Sequence, residues 1–229
     1  MKTIALIPAR LESERFPNKL IKKLDGVPII VRTYLAALNS KLFDQVYVVS
    51  GNDEIIDLIK SKDGLIFKSR KIHLSGTDRI AEAAKEIDHD IVVNLQGDEP
   101  FINIDAIDSL IASFEDNSVK MASLMTSFNS FDEIKNPNNV KVTVDKNNNA
   151  IFFSRSPIPE GENEIKKFNR HIGVYAFRKN TLINFSSLNR SKNEISQNLE
   201  GNRAIDNLIP IKMIKICLLY TSPSPRDGT

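Results

Sequence analysis

Cysteine is almost absent from this sequence, because Cys217 is the only one among 229 residues. A single thiol excludes an intramolecular disulfide and a zinc site built from cysteines. Disulfide frameworks are typical of secreted domains, so the lack of one is compatible with a reducing compartment. We therefore expect a cytoplasmic localisation.

Long apolar runs and blocks of a single charge are also missing. The first apolar stretch, residues 4–9, ends at Arg10 and is far shorter than a signal segment or a membrane-spanning helix. The formal net charge is only +2, and no extended Lys/Arg block indicates a nucleic-acid footprint. The sequence therefore predicts neither membrane insertion nor nucleic-acid binding, and any functional basic character must be local.

What is present is the pattern of an α/β fold. With 41% hydrophobic and 26% charged residues, the chain fits one large globular domain. Short runs rich in Ile and Val predict buried strands, and the early ones alternate with segments of helical spacing, which implies parallel crossovers. The later strands have fewer helices between them, so we expect a mixed sheet flanked by helices, with a smaller β-rich insertion. The strand candidates are residues 4–7, 46–49, 91–95, 121–125, 140–144, 151–154 and 172–177, and the helix candidates are 28–38, 54–60 and 78–87.

The loop after the first strand candidate is the first place to look for chemistry, because ligands of an open α/β sheet bind beyond the carboxyl ends of its strands. It carries three cations within ten residues: Arg10, Arg15 and Lys19. Two guanidinium forks and one ammonium group can screen a triphosphate and stabilise a pyrophosphate leaving group. The alternative is a solvated charged loop, the commoner origin of such a cluster. The glycine spacing of a P-loop is missing, so side chains would have to bind the phosphates.

A second candidate is the segment QGDEP, residues 96–100, which directly follows the third strand candidate. Asp98 is suited to Mg²⁺, which prefers oxygen ligands and commonly binds through one or two protein carboxylates. A turn that uses Gly, Asp and Pro only for their conformations explains the same residues equally well.

Two weaker signals lie on predicted helices. Thr77 or Asp78 can cap a helix, and the backbone N–H groups there, with Arg79, can also meet an anion or a base edge. Glu200 and Arg203 are three residues apart on a helix, and their default interpretation is a surface ion pair of small energetic worth.

A third weak signal lies near the later strands. Arg155 and His171 bring cationic and hydrogen-bonding side chains to this region, as binding of a sugar acid requires. Such residues are more often structural or exposed than functional.

In order and spacing, these segments together resemble the CMP-Kdo synthetase family, the 3-deoxy-manno-octulosonate (Kdo) cytidylyltransferases. The resemblance covers about the first 180 residues. It rests on IPAR at 7–10 with Ser13, Arg15, Pro17 and Lys19, and on SGTDR at 75–79, QGDEP at 96–100, NPN at 136–138, VKV at 140–142, FSR at 153–155 and HIGVY at 171–175.

The resemblance implies a nucleotide-diphospho-sugar transferase fold, which is Rossmann-like, and a homodimer. It implies a Mg²⁺-dependent transfer of CMP from CTP to Kdo for lipopolysaccharide synthesis, with Asp98 as the metal ligand and Arg10, Lys19 and Asp98 as the catalytic residues. The residues that it assigns to CTP are Ala9, Arg10, Arg15, Lys19, Gly76, Thr77, Arg79 and Gln96. Those that it assigns to the sugar are Arg155, His171, Tyr175, Gln197 and Glu200.

The last part of the chain departs from the family pattern. Where the family helix usually carries a Glu and a Gln near the sugar, this chain has Gln197 and Gly201. The family's Gly-x-Asp-Thr-Pro segment, whose Asp is a second metal ligand, has no counterpart. We therefore expect a cytidylyltransferase domain over residues 1–216, truncated relative to the family, and a non-family tail over 217–229 that is disordered or an artefact.

Two alternative functions stay open at this point. A cytidylyltransferase for another acidic sugar, such as 8-amino-Kdo or a nonulosonic acid, would share the phosphate loop, although sialate enzymes usually have a glycine-richer loop after the first strand. The other alternative is a catalytically impaired CTP-binding module.

The missing second carboxylate generates a first prediction. We expect the chain to bind CTP but to turn over slowly, because one metal ligand of the family pattern is lacking. A steady-state assay of pyrophosphate release at saturating CTP, Kdo and Mg²⁺ measures this, and a normal turnover number would contradict it.

Overall fold

A mixed sheet with helices packed on both faces forms the centre of the fold. The computed structural model describes residues 1–12, 17–101, 103–159, 161 and 164–217. The strands are β1 (Thr3–Ala9), β2 (Lys23–Leu24), β3 (Val27–Pro28), β4 (Gln45–Ser50), β5 (Leu65–Lys68), β6 (Ile91–Asn94), β7 (Met121–Ser127), β8 (Lys141–Val144), β9 (Ala150–Ser154), β10 (Asn169–Arg178) and β11 (Ile211–Lys215). The helices are α1 (Ile29–Asn39), α2 (Asp53–Lys60), α3 (Gly76–Glu86), α4 (Ile104–Ala112), α5 (Phe131–Lys135), α6 (Lys179–Ser187), α7 (Lys192–Gln197) and α8 (Gly201–Asp206). None of these helices is long and apolar enough to cross a membrane.

The strand order of the main sheet is β11-β7-β10-β6-β1-β4-β5. The pairs β6–β1, β1–β4 and β4–β5 are parallel, and β10 lies antiparallel to both β6 and β7. Strands β8 and β9 form an antiparallel hairpin that joins the sheet through β10. This architecture confirms the expected mixed sheet, and the β8–β9 hairpin corresponds to the β-rich insertion.

The central strand β1 is apolar throughout because both of its faces are covered. Ala5 and Ile7 belong to the hydrophobic cluster that includes residues of α1 and α4. Ile4 and Leu6 belong to the cluster on the other face, which includes residues of α3 and α6. A strand buried on both sides reads as a continuous hydrophobic run, which is why the sequence pattern located it.

Helix α3 begins with a side-chain cap, although not the one predicted. The hydroxyl oxygen of Ser75 accepts a hydrogen bond from the backbone N–H of Asp78 at 3.0 Å, so Ser75 is the N-cap. The prediction that Thr77 or Asp78 caps this helix is wrong, because both already lie within its first turn. The Thr77 side chain is therefore available for another contact.

Arg203 is the centre of a buried ion-pair network rather than half of a surface pair. Its side chain is only 3% exposed, and its Nε and Nη2 atoms donate to the Glu194 carboxylate at 2.8 and 2.7 Å. Its Nη1 lies 3.4 Å from Asp78 Oδ1, and its guanidinium carbon lies 4.7 Å from the Phe185 ring centroid. The default interpretation of Glu200 and Arg203 as a surface pair is wrong, because α8 packs against β9 and α7 and its Arg203 side chain is buried against Glu194 and Asp78.

The start of α8 packs directly against β9. The side-chain amide of Asn202 accepts from the backbone N–H of Phe153 and donates to its carbonyl, at 3.0 and 2.9 Å, so it pairs with the strand as a neighbouring strand would. This close approach depends on Gly201. A Cβ on Gly201 would lie 2.6 Å from the buried Phe153 ring and 2.9 Å from the Tyr175 hydroxyl.

We predict that Gly201→Ala lowers the free energy of unfolding by about 1–3 kcal/mol, because a rigid buried ring must shift to admit the methyl group. The higher helix propensity of Ala offsets part of this cost. Urea unfolding measures the change, and Gly173→Ala is the matched control because no atom lies within 4 Å of a Cβ built there. Equal stability of the two variants would contradict the prediction.

Candidate active site

The parallel pairing of β1 and β6 brings two of the predicted loops together. Leu6 is in register with Asn94, and the backbone N–H of Leu95 donates to the Leu6 carbonyl at 3.1 Å. The chain segments that follow these residues therefore leave the same edge of the sheet side by side. One carries Arg10, and the other carries Asp98.

These segments and the start of α3 enclose a cleft of about 200 Å³. It contains six of the eight residues assigned to CTP, together with Asp98. Arg15 lies outside the described residues. The cleft is lined by Pro8, Ala9, Arg10, Glu12, Lys19, Leu20, His73, Ser75, Gly76, Arg79, Gln96, Gly97 and Asp98.

Lys19 and Asp98 form an ion pair across the cleft wall. Lys19 Nζ lies 2.6 Å from Asp98 Oδ2, and the two side chains are 40% and 41% exposed. Ion pairs of this exposure typically contribute about 0–1 kcal/mol to stability. The pair therefore contributes little to the stability of the fold. Lys19 and Asp98 can each replace this contact by a contact with a ligand at a small cost in free energy.

Arg79 brings desolvated positive charge to the cleft. It is only 8% exposed, and within the described residues its guanidinium has no hydrogen-bond acceptor. Burial, and to a smaller degree the nearby Arg10 guanidinium, lower the pKa of Arg79, while the Glu12 and Glu82 carboxylates oppose this shift; an arginine in a protein remains charged. A buried cation beside a second cation favours an anionic ligand.

Gly76 lets the start of α3 approach the end of β1. A Cβ at this position would lie 3.0 Å from Pro8 Cγ and 3.9 Å from Gln96 Oε1, so a larger residue would push the helix away from the cleft. The N-terminus of this eleven-residue helix contributes backbone N–H groups and a partial positive charge. The helix end therefore adds to the attraction of an anion.

Thr77 connects the first turn of α3 to Glu200. Its hydroxyl donates to Glu200 Oε1 at 2.6 Å and accepts from the Asn94 side-chain amide at 3.0 Å. Asn94 is fully buried. Burial raises the pKa of the Glu200 carboxyl, while the hydrogen bond from Thr77 opposes the rise.

The residues assigned to the sugar fall into two groups. In the first, Arg155 Nε donates to the Gln197 carbonyl at 2.9 Å, and Gln197 Oε1 accepts from the Arg155 backbone N–H at 3.1 Å. In the second, the His171 and Tyr175 rings lie 5.3 Å apart between centroids. Burial raises the pKa of Tyr175, and the nearby Glu200 charge raises it further, so this phenol stays protonated.

A second cavity, of about 480 Å³, adjoins the cleft. Asp98 lines both spaces, and Arg170 and His171 also line the second one. Of the residues assigned to the sugar, the described lining of this cavity includes His171 but not Arg155, Tyr175, Gln197 or Glu200.

Sequence reasoning missed several polar residues of the site. His73 lines the cleft, and its Nε2 lies 2.7 Å from Glu82 Oε2, but a lone histidine in a loop gave no signal beyond its position two residues before Ser75. Asn94 was included in an apolar run. A buried amide within such a run is a usable signal, since an amide in a strand core needs a specific partner.

Asp98 offers one carboxylate ligand of the kind that Mg²⁺ prefers. Within the described residues no group of three or more His, Cys, Asp or Glu side chains converges on a metal position. Mg²⁺ usually binds through one or two carboxylates together with substrate phosphates and water, so the accessible Asp98 carboxylate in a cleft that also carries cations is compatible with it. The assignment stays a prediction.

Comparison with known proteins agrees with this geometry. A family model described as Cytidylyltransferase matches residues 4–213. The 3-deoxy-manno-octulosonate cytidylyltransferase of Flavobacterium johnsoniae is 47% identical over 94% of this chain and 90% of its own length. That of Christiangramia forsetii is 43% identical over 93% of this chain and 88% of its own length.

Solved structures show the same likeness. A CMP:2-keto-3-deoxy-manno-octonic acid synthetase complexed with CTP superposes with a TM-score of 0.89 at 33% identity, over 94% of this chain and 90% of that one. A 4-diphosphocytidyl-2C-methyl-D-erythritol synthase from Anaerococcus prevotii, at 15% identity and a TM-score of 0.62 over 93% of this chain and 88% of that one, shares the fold.

The sheet, the cleft at its edge and the family match together define a nucleotidyltransferase fold of the cytidylyltransferase class. Within that class the identities are high over nearly the whole chain. The chain belongs to the 3-deoxy-manno-octulosonate cytidylyltransferase family.

His171 generates a prediction about pH. Desolvation lowers the pKa of its imidazole from 6.5 to about 3. Between these values the unfolded chain binds a proton that the folded chain does not, so stability falls as the pH decreases from 6.5 towards 3. This group accounts for at most about 1.4 kcal/mol per pH unit.

Urea unfolding of the wild type and of His171→Asn at pH 7.5 and pH 5 measures this contribution. The variant should lose less stability than the wild type on acidification, because the carboxylates common to both proteins cancel in the comparison. Identical losses would show that His171 titrates normally.

Proposed function

We propose that this chain transfers CMP from CTP to Kdo and releases pyrophosphate. The observation that carries the proposal is the single cleft in which Arg10, Lys19 and Arg79 meet the Asp98 carboxylate. The curated relatives named for this reaction and the CTP complex of the solved relative support it.

In the proposed reaction the anomeric hydroxyl of Kdo attacks the α-phosphorus of CTP. A new P–O bond forms in line with the bond to the β-phosphate, which breaks, and the hydroxyl proton passes to solvent. Positioning and charge neutralisation dominate such a displacement, and it needs no covalent nucleophile. Arg10, Lys19 and Arg79 bind the triphosphate and neutralise the departing pyrophosphate.

Asp98 would hold Mg²⁺, which would supply charge neutralisation at the phosphates and favour the ionised form of the attacking hydroxyl. Lys19 then leaves its present contact with Asp98 and turns to a phosphate oxygen. The small worth of the exposed ion pair makes this exchange inexpensive.

Arg155 is the proposed partner of the sugar carboxylate. Its Nε and Nη1 atoms already donate to the carbonyls of Gln197 and Pro137, at 2.9 and 3.1 Å, which hold the guanidinium plane in place. Tyr175 and Glu200 are the proposed hydrogen-bonding partners of the sugar hydroxyls. The same relatives do not favour another acidic sugar or an inactive CTP-binding module.

The proposal extends to the setting of the enzyme. We expect it to act in the cytoplasm, as a homodimer, in the synthesis of lipopolysaccharide. Family resemblance supports these three statements.

A pyrophosphate-release assay with CTP, Kdo and Mg²⁺, combined with mass spectrometry of the product, tests the function. We predict CMP-Kdo formation that falls about 100-fold or more in Asp98→Asn, since removal of one preorganised electrostatic group typically costs 10²–10³ in rate. The CTP affinity of this variant, measured calorimetrically, should also lose its dependence on Mg²⁺.

Asp88→Asn is the matched control, because Asp88 is 92% exposed and, among the described residues, its one ion pair is with Lys2 at 3.3 Å. It should retain full activity. Product formation with 8-amino-Kdo or a nonulosonic acid, but not with Kdo, would overturn the substrate assignment.

A further inference from the structure

Ser123 lies on β7 beneath the His171 ring and has three polar neighbours. Its side chain is fully buried, and its Oγ lies 2.8 Å from the Val174 carbonyl, 3.3 Å from the Ile172 carbonyl and 2.9 Å from His171 Nε2. Tyr175 is the residue directly opposite Ser123 in the register of β7 and β10. A register shift between Ile172 and Tyr175 turns both carbonyls towards the serine.

The number of available protons decides the direction of these bonds. A serine hydroxyl has one proton, and a carbonyl can only accept. If that proton went to His171, the serine oxygen would face the Val174 carbonyl at 2.8 Å with no proton between them. If the serine instead donates to a carbonyl, the histidine Nε2–H donates to the serine, and both short contacts become hydrogen bonds.

The surroundings of the His171 ring also favour a neutral imidazole. Its centroid lies 4.7 Å from that of Phe153, in an edge-on arrangement, and 5.3 Å from that of Tyr175. These aromatic neighbours make protonation of both nitrogens unfavourable. A neutral ring with a proton on Nε2 has a lone pair on Nδ1.

The Nδ1 lone pair is available to a ligand. Within the described part of the chain, no hydrogen-bond donor contacts Nδ1, and this atom is not among the fully buried polar atoms that lack a partner. A lone pair attracts a hydroxyl and repels a carboxylate oxygen. This atom is therefore suited to a sugar hydroxyl and unsuited to the acid group.

We propose that Ser123 is a positioning residue that holds His171 in the Nε2–H tautomer, so that Nδ1 accepts a hydrogen bond from a hydroxyl of the acidic sugar. The identity of the ligand rests on the proposed function. The tautomer itself rests only on the contacts of Ser123. Ser123 thereby contributes to substrate selection without touching the substrate.

The tautomer can be measured directly, because the chain has only three histidines. Long-range ¹H–¹⁵N correlation spectra of ¹⁵N-histidine-labelled protein distinguish protonated from unprotonated ring nitrogens, and His171→Asn identifies the signal. We expect Nε2–H for His171. His89 provides an internal contrast, because its Nδ1 lies 3.0 Å from the Ile87 carbonyl and must donate to it.

Ser123→Ala should convert the His171 signal into an average of the two tautomers. It should also raise the KM for Kdo about twofold, because the population of the competent tautomer falls to about one half, while the KM for CTP and kcat stay unchanged. The matched control is Ser113→Ala. The Ser113 hydroxyl also donates to a backbone carbonyl, that of Leu110, at 2.7 Å. The Ser113→Ala variant should leave the His171 tautomer and the KM for Kdo unchanged.

The outcomes separate this inference from the proposed function. A proton on Nδ1 of His171 in the wild type, or an unchanged tautomer in Ser123→Ala, would overturn the positioning role even if CMP-Kdo forms normally. An altered tautomer with an unchanged KM for Kdo would overturn the contact with the sugar. Failure of the wild type to form CMP-Kdo would overturn the function, while the spectra would still decide the assignment of Ser123.

Discussion

The site depends above all on the parallel hydrogen bonding between β1 and β6. The pairing of Leu6 with Asn94 places the end of one strand, with Arg10 beyond it, beside the end of the other, with Asp98 beyond it. A shift of one residue would turn each strand's side chains to the opposite face, and the hydrophobic clusters on both faces oppose such a shift. The positions of the charged groups are therefore set by uncharged ones.

Because apolar packing sets the positions of the strands, the charged side chains of the cleft are not needed to stabilise the fold and can interact with a ligand. The Lys19–Asp98 pair is about 40% exposed on both sides and contributes little to stability. Arg79 is buried without a hydrogen-bond acceptor among the described residues. Arg203, in contrast, is fully paired with Glu194 and also meets Asp78, which connects α8 and α7 to the first turn of α3. Arg203 is thus held by direct ion pairs, whereas Arg79 has only longer-range interactions with Glu12 and Glu82 among the described residues.

Much of the fold could be predicted from periodicity, and the exceptions have physical reasons. The buried strands β1, β4 and β6 were found because both of their faces are apolar. Strand β5, Leu65–Lys68, was not identified, because an edge strand of four residues with exposed ends has too little pattern. Thr77 or Asp78 was predicted as the cap of α3 instead of Ser75. A segment that contains three residues able to cap a helix does not show which one adopts the extended backbone of the N-cap. The surface interpretation of Arg203 failed because sequence spacing does not report what packs over a helix.

The sequence by itself determined the alternation of strands and helices, the loops that carry Arg10, Lys19 and Asp98, and the edge of the sheet at which they emerge. These follow from local periodicity and from the geometry of parallel strands, which act over short stretches of chain. Only the tertiary structure decided that Thr77 reaches Glu200 and that Ser123 supports His171. The partners in these pairs are 123 and 48 residues apart, and a hydrogen bond between them depends on the folded sheet, not on their local sequence.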